Sequence, residues 1–121
     1  MRHIPKNQKR LVAVYEDRVV GVTTMIQREE YNQLQTIYVL PEFQGKGIGK
    51  MLYAGAVRFC DTSKKLIVQV ATYNNTAIAF YQKLGFVDTG KRFQDERFRF
   101  KSGAIIPEME LEIEAGKYSA V

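Results

Sequence analysis

Apolar residues along this chain come first in short runs rich in β-branched residues, then with a helical period, and near the end in strict alternation. Leu11-Val12-Ala13-Val14-Tyr15 and Val19 to Ile26 are runs rich in β-branched residues, separated by the polar Glu16-Asp17-Arg18. That pattern predicts a hairpin with a short turn. A third run, Leu34 to Leu40, follows the polar stretch Gln27 to Gln33 and completes a meander. Ile48, Met51, Leu52, Gly55, Ala56 and Phe59 then fall on one helical stripe, which predicts a helix from about Gly47 to Asp61. Leu66 to Ala71 reads as a fourth strand. Asn74-Asn75-Thr76 offers capping side chains, Ala77, Phe80, Tyr81 and Leu84 share a face, and Gly85 stands where a C-terminal glycine cap belongs, so a second helix is expected near 75 to 84. Phe86 to Phe93 reads as another strand. Glu108 to Glu114 alternates so strictly that it predicts a last strand with one wet, acidic face.

The resulting order is β-β-β-α-β-α-β-β, an α/β chain with a mixed sheet. The right-handed crossover rule makes the third and fourth strands parallel neighbours, and the crevice outside the carboxyl ends of parallel strands is where such folds bind ligands. At 121 residues the chain has room for one domain, spanning 1–121, with the polar and basic segment 1–9 as a loose arm. No apolar run approaches the roughly 18 residues of a membrane helix, and the first ten residues lack the apolar stretch of a signal peptide, so the expected location is cytoplasmic. Cys60 is the one cysteine and His3 the one histidine, so neither an intrachain disulfide nor a usual zinc site is expected, and no metal is predicted. The net charge is +5, from 18 Lys and Arg against 13 Asp and Glu, which suits an anionic partner without choosing one.

Chemistry concentrates between the third strand and the first helix. In Pro41-Glu42-Phe43-Gln44-Gly45-Lys46-Gly47-Ile48-Gly49-Lys50, three glycines let backbone N–H groups turn toward one point, and the helix start adds about half a positive charge. Together with Lys46 and Lys50 this makes an anion cradle suited to a pyrophosphate. The dinucleotide pattern G-x-G-x-x-G fails because position 50 is Lys, and the phosphate loop G-x-x-x-x-G-K-[ST] fails because Gly45-Lys46 is followed by Gly47.

Gln44-Gly45-Lys46-Gly47-Ile48-Gly49, preceded by Ile37-Tyr38-Val39-x-Pro41, resembles the Q/R-x-x-G-x-G/A loop of the GCN5-related N-acetyltransferase superfamily. Asn74-x-x-Ala77-x-x-Phe80-Tyr81-x-Lys83-x-Gly85-Phe86 is similar to that family's second motif, so the resemblance covers about Leu34 to Phe86. It implies the acyl-CoA N-acyltransferase fold and transfer of acetyl from acetyl-CoA, as co-substrate, to a primary amine acceptor. The loop amides of Gln44, Gly45, Lys46, Gly47, Gly49 and Lys50 would bind the cofactor's pyrophosphate. The main chain of Ile37 and Val39 would pair with the pantetheine arm as with an added strand, and the Ile37 amide would point at the thioester oxygen. Asn74 and Lys83 match positions that touch the cofactor, and Tyr81 would protonate the leaving thiolate.

Two features depart from the family. Gln33 stands where some members carry a basic glutamate, which leaves Glu29 and Glu30, just upstream, as candidates acting through water. The family's usual N-terminal strand and helices, which wall the acceptor site, have no counterpart before Leu11. Two other readings compete: a fold that binds CoA without transfer, and a nucleic-acid module using Arg92-Phe93 and Arg97-Phe98-Arg99-Phe100, for which water-facing arginines are the plainer account. A homodimer is expected, with Arg92 to Lys101 of one subunit meeting the acidic strand face of another. The acceptor amine itself is not legible.

Overall fold

The computed structural model describes residues 5–99 and 105–119, with backbone alone for 95–99 and 105. Strand β1 (Gln8–Tyr15) turns into β2 (Arg18–Gln27) through Glu16 and Asp17, whose φ angles of 49° and 63° are both left-handed. A two-residue turn of that hand matches the twist of the flanking strands, and here it forms without glycine. β1 starts inside the expected arm: Gln8 and Lys9 pair with Ile26 and Met25, and Gln27 N–H bonds to the Asn7 carbonyl at 2.7 Å. Backbone pairing to a buried strand thus shortens the arm. Residues 1–4 lie outside the described residues.

The expected third strand is two strands. β3 (Tyr31–Leu34) and β4 (Tyr38–Val39) both pair with β2, but Met25 faces Leu34 while Gly21 faces Val39. Four steps along β2 are matched by five on its partner, so one extra residue bulges between Leu34 and Tyr38. Side chains hold this bulge: the Thr23 hydroxyl donates to the Gln35 carbonyl at 2.8 Å, and the Thr36 hydroxyl donates to the Gln69 carbonyl at 3.3 Å.

Helix α1 (Ile48–Val57) leads to β5 (Lys65–Ala71), which runs parallel to β3 as the crossover rule requires. α1 stops earlier than expected because Phe59 and Cys60 donate to carbonyls three residues back, which tightens the chain into a turn. Its buried residues are Leu52, Tyr53, Ala56 and Val57, whereas Met51 is 72% exposed, so the packed stripe is turned toward Tyr53.

Helix α2 (Asn75–Lys83) is capped at both ends by its own sequence. The Asn74 side-chain oxygen accepts from the Ala77 N–H at 3.1 Å. At the other end Gly85, with φ 108°, lets Phe86 N–H reach the Tyr81 carbonyl and Gly85 N–H reach the Gln82 carbonyl. This paired closure brings the Phe86 and Tyr81 rings to 5.5 Å and fixes Tyr81 in the core.

β6 (Val87–Arg99) and β7 (Ile105–Ile113) complete a seven-stranded sheet of order β1-β2-β3-β5-β7-β6, with β4 beside β2. Both helices pack on one face, where Tyr53, Tyr81 and Phe86 meet Leu66, Val68, Met109 and Leu111. The acidic face of β7 is not uniformly wet: Glu110 is 5% exposed, and Glu112 pairs with Lys65 at 3.4 Å. Arg92 grips Asp88 of its own strand through two bonds of 3.0 and 2.9 Å, which holds that carboxyl down to about 2. Of the charges expected to meet across a dimer, Arg92, Glu110 and Glu112 thus have oppositely charged neighbours within the chain. The side chains of Arg97, Phe98 and Arg99 and all of 100–101 lie outside the described residues.

Candidate active site

Beyond Leu34 and Val68 the central strands part. β4 stays with β2, β5 stays with β7 as far as Ala71, and a wedge opens between them at the carboxyl ends of the parallel pair. In an antiparallel ladder successive residues turn their main-chain groups to opposite sides. Leu40 N–H bonds to the Val20 carbonyl at 2.9 Å, so Val39 and Ile37 turn theirs away from β2, toward the wedge. Both residues expected to pair with an added strand thus present main-chain groups to the opening.

The glycine loop closes one end of the wedge. Gly45 and Gly47 have φ of 80° and 84° with open space where a Cβ would stand, so glycine is needed there for backbone conformation. Gly47 is the N-cap of α1, no acidic side chain occupies the first turn, and Met51 makes the first helical bond at 3.1 Å. The N–H groups of Gly45, Lys46, Gly47, Ile48, Gly49 and Lys50 find no acceptor among the described residues. Those unmet donors, the helix dipole and the two lysines favour an anion. Gln44 behaves differently from expectation: its N–H is committed to the Pro41 carbonyl at 3.2 Å in a short 3-10 turn, and its side chain donates to the Val39 carbonyl at 3.0 Å. It braces the loop against β4, with its main-chain N–H turned to Pro41.

Gly49 has a different reason for being glycine. A Cβ there would lie 3.2 Å from the Phe80 ring and 3.9 Å from Ile37, so its absence lets α2 seat against the start of α1. Phe80 was not marked by the sequence as a site residue; its signal is the family motif read together with a glycine at the facing position. The next residue, Tyr81, is 1% exposed, and its hydroxyl accepts the Ile37 N–H at 3.0 Å. Burial pushes its pKa up to about 12 against the opposing pull of that N–H, so the phenol stays neutral and keeps its proton. The Ile37 amide therefore meets the tyrosine where a thioester oxygen was expected, and one hydrogen bond joins the two groups.

The outer residues are less tightly gathered. Asn74 spends its side-chain oxygen on the α2 cap, and Lys83 is exposed in the last turn, beside a shallow recess shared with Asn75, Thr76, Ala79 and Phe80. Gln33 accepts two bonds from Arg28, at 3.1 and 3.0 Å, and is fixed as an acceptor. Glu29 and Glu30 are exposed in the turn between β2 and β3, eight and seven residues before Ile37, which at ~3.3 Å per strand residue is more than about 20 Å along the chain from the wedge. The structure removes both as candidate bases, because β3 runs away from them toward the site. Among the described residues no cluster of metal-ligating side chains occurs. No described helix is long and apolar enough to cross a membrane.

Comparison with known proteins agrees with this architecture. The family described as an acetyltransferase (GNAT) domain matches residues 1–102. An uncharacterised N-acetyltransferase of Methanocaldococcus jannaschii is 36% identical over 63 residues, a match covering 50% of this chain and 28% of that protein, so the matched part is under a third of that relative's length. The ribosomal-protein-S18-alanine N-acetyltransferase of Escherichia coli superposes with a TM-score of 0.73 at 17% identity, covering 93% of this chain and 72% of that one. A GNAT family acetyltransferase of Elizabethkingia anophelis, solved with acetyl-CoA bound, gives 0.70 at 21% identity over 89% and 76% of the two chains. At these identities the likeness to the solved structures is one of fold.

Proposed function

The chain belongs to the GNAT acetyltransferase family, and from that premise we propose that it transfers acetyl from acetyl-CoA directly to an amine nitrogen. The observation that carries the reading is the meeting of Tyr81, Ile37 and Gly49 at the mouth of the wedge, with a buried neutral phenol 3.0 Å from a strand amide. The N–H groups of Gly45, Lys46, Gly47, Gly49 and Lys50 receive the pyrophosphate, and Val39 N–H and the Ile37 main chain take the pantetheine arm along β4. Asn74, through its side-chain N–H groups, and Lys83 border the cofactor on the α2 side.

The wedge brings an attacking amine and the thioester together in one orientation, which converts a two-body encounter into a positioned one. The nitrogen bonds to the carbonyl carbon, the carbon–sulfur bond breaks, and Tyr81 gives its proton to the departing thiolate. The phenol regains a proton from the nitrogen that has become an amide. The Ile37 N–H, which donates to the Tyr81 oxygen at 3.0 Å, stabilises the phenolate that forms as that proton moves. The experiment is a thiol-release assay over small amines, polyamines and peptides with free amines, run beside calorimetric titration of CoA. Amine-dependent release supports transfer; tight CoA binding with no release for any amine identifies an inactive CoA-binding domain.

A further inference from the structure

The reading above leaves the proton of the acceptor ammonium without a destination, and Gln33, Glu29 and Glu30 cannot receive it. One carboxylate in the described structure is buried and incompletely satisfied. Glu110 on β7 is 5% exposed, and its Oε2 has no hydrogen-bond partner; Lys91 Nζ stands 3.8 Å away, beyond hydrogen-bond reach. A buried unsatisfied oxygen requires an explanation, because folding alone does not retain one.

Its place in the sheet supplies the explanation. Glu110 pairs directly with Gln69 of β5, and the Gln69 carbonyl is joined to Thr36 of the bulge at 3.3 Å. Two strand spacings, about 10 Å between backbones, therefore separate Glu110 from the wedge. On its other side β6 also bulges: Asp88 faces Leu111 and Arg92 faces Met109, so Thr89, Gly90 and Lys91 together face Glu110, with Gly90 at φ 89°. Bulges re-aim side chains, and these two lie in one row on either side of the Gln69–Glu110 pair. Met109 and Leu111 belong to the core beneath the helices, so Glu110 points to the opposite face from Tyr81.

We infer that Glu110 is the carboxylate that draws the acceptor as a cation and takes its proton through intervening water, from the sheet face opposite Tyr81. The inference rests on the acetyl-transfer reading. The step balances: the ammonium nitrogen loses one proton to Glu110, the neutral amine attacks the thioester carbon, the thiolate leaves with the Tyr81 proton, and the second nitrogen proton restores the tyrosine. Water then takes the proton from Glu110. Acid and base on opposite faces of the wedge suit a nucleophile and a leaving group that sit on different sides of one carbon. The acceptor class this selects is a primary ammonium carried on a chain slender enough to enter the wedge from the helix-free face.

The test is Glu110→Gln, with the best acceptor of wild type among n-butylamine, spermidine, a lysine peptide and a peptide with a free N-terminus. Expected is a loss of about 10²-fold or more in kcat/KM for the amine, with acetyl-CoA affinity and Tm kept. The loss should shrink as pH rises and the amine deprotonates by itself. The charged groups around Glu110 in that titration are Lys91 from β6, Lys65 from β5 through Glu112, and Glu108 and Glu112 on β7. Glu110→Asp, which keeps the charge and withdraws it by one methylene, serves if the amide variant unfolds, and should lower kcat without changing acetyl-CoA binding. Lys91→Met should retain most activity. Rates within threefold of wild type for the glutamine variant, or for the aspartate variant if the glutamine variant unfolds, would overturn the assignment. So would loss of acetyl-CoA binding in step with turnover, or a deficit that no pH relieves. If wild type binds acetyl-CoA and acetylates none of the four amines, the transfer reading itself fails and takes this one with it.

Discussion

Replacing Tyr81 with Phe removes one oxygen from the centre of the site and leaves the ring where it packs, 5.3 Å from Phe80 and 5.5 Å from Phe86. Two consequences separate cleanly. The Ile37 N–H loses its 3.0 Å partner in a partly buried position, which costs about 1–2 kcal/mol for an unsatisfied donor. For a domain of this length that is a fall in Tm of roughly 4–8 °C. The second consequence is chemical. The phenol holds its proton up to about pH 12, so it has a proton to give throughout the neutral range. Loss of a general acid lowers kcat by about 10²–10⁴-fold, or roughly 3–5 kcal/mol of barrier. Acetyl-CoA affinity should stay within about threefold, because the loop amides that hold the pyrophosphate are untouched. The assay is thiol release at saturating amine and acetyl-CoA, well below the variant's Tm, with affinity measured separately by calorimetry. A kcat within twofold of wild type, in a folded variant that binds acetyl-CoA normally, would refute the assignment and leave Tyr81 as a core aromatic.

Three further outcomes follow from the same geometry. Acetyl-CoA at a hundredfold excess over Kd should stabilise the wild type by about 2.7 kcal/mol, and Gly47→Asp should abolish the shift, since aspartate tolerates the left-handed N-cap while its charge repels phosphate; an unchanged shift would mean that the loop is only a turn. Asn32→Ala should cost about 2–4 kcal/mol in urea unfolding, because Asn32 is fully buried and bonds Asp61 and Tyr118 at 2.8 and 2.9 Å, yet it should leave acetyl-CoA affinity unchanged at the far end of β3. Burial raises Tyr53, Tyr81 and Tyr118 to about 12, above the unfolded value near 10, so the unfolded chain releases these protons first. Burial raises the Cys60 thiol likewise, from 9 to about 12, so stability should hold below about pH 9 and fall between 9 and 12, with Tyr81 alone worth ~2.7 kcal/mol; a flat urea midpoint between pH 10 and 12 would contradict the burial of these phenols.

What the sequence made legible was local. Gly85-Phe86 and Asn74 announced the ends of α2 because capping depends on residues within one turn, and Glu16-Asp17 announced a hairpin because a short polar break separates two runs rich in β-branched residues. The break between β3 and β4 was not legible. Leu34 to Leu40 reads as one apolar run, and its bulge is held by Thr23, Gln69 and Tyr81, which are distant in sequence. The engagement of the Gln44 N–H was not legible for the same reason, since it comes from the 3-10 turn after Leu40. Met51 fits the helical stripe as well as Leu52 does, and only packing decides that it faces outward. Glu110 is the most consequential miss. Alternation correctly put it opposite Met109 and Leu111, but burial of that opposite face depends on the fold around it, which no local pattern encodes.

The central claim is that the wedge between β4 and β5 moves an acetyl group from sulfur to nitrogen. Its most direct measurement is mass spectrometry of the amine after incubation with the protein and acetyl-CoA, alongside the thiol released. The account predicts one acetyl group on nitrogen for each thiol freed, at a rate that depends on the amine and collapses in Tyr81→Phe. Thiol release with no acetylated amine, or no release from a protein saturated with acetyl-CoA and supplied with each amine class, would contradict it.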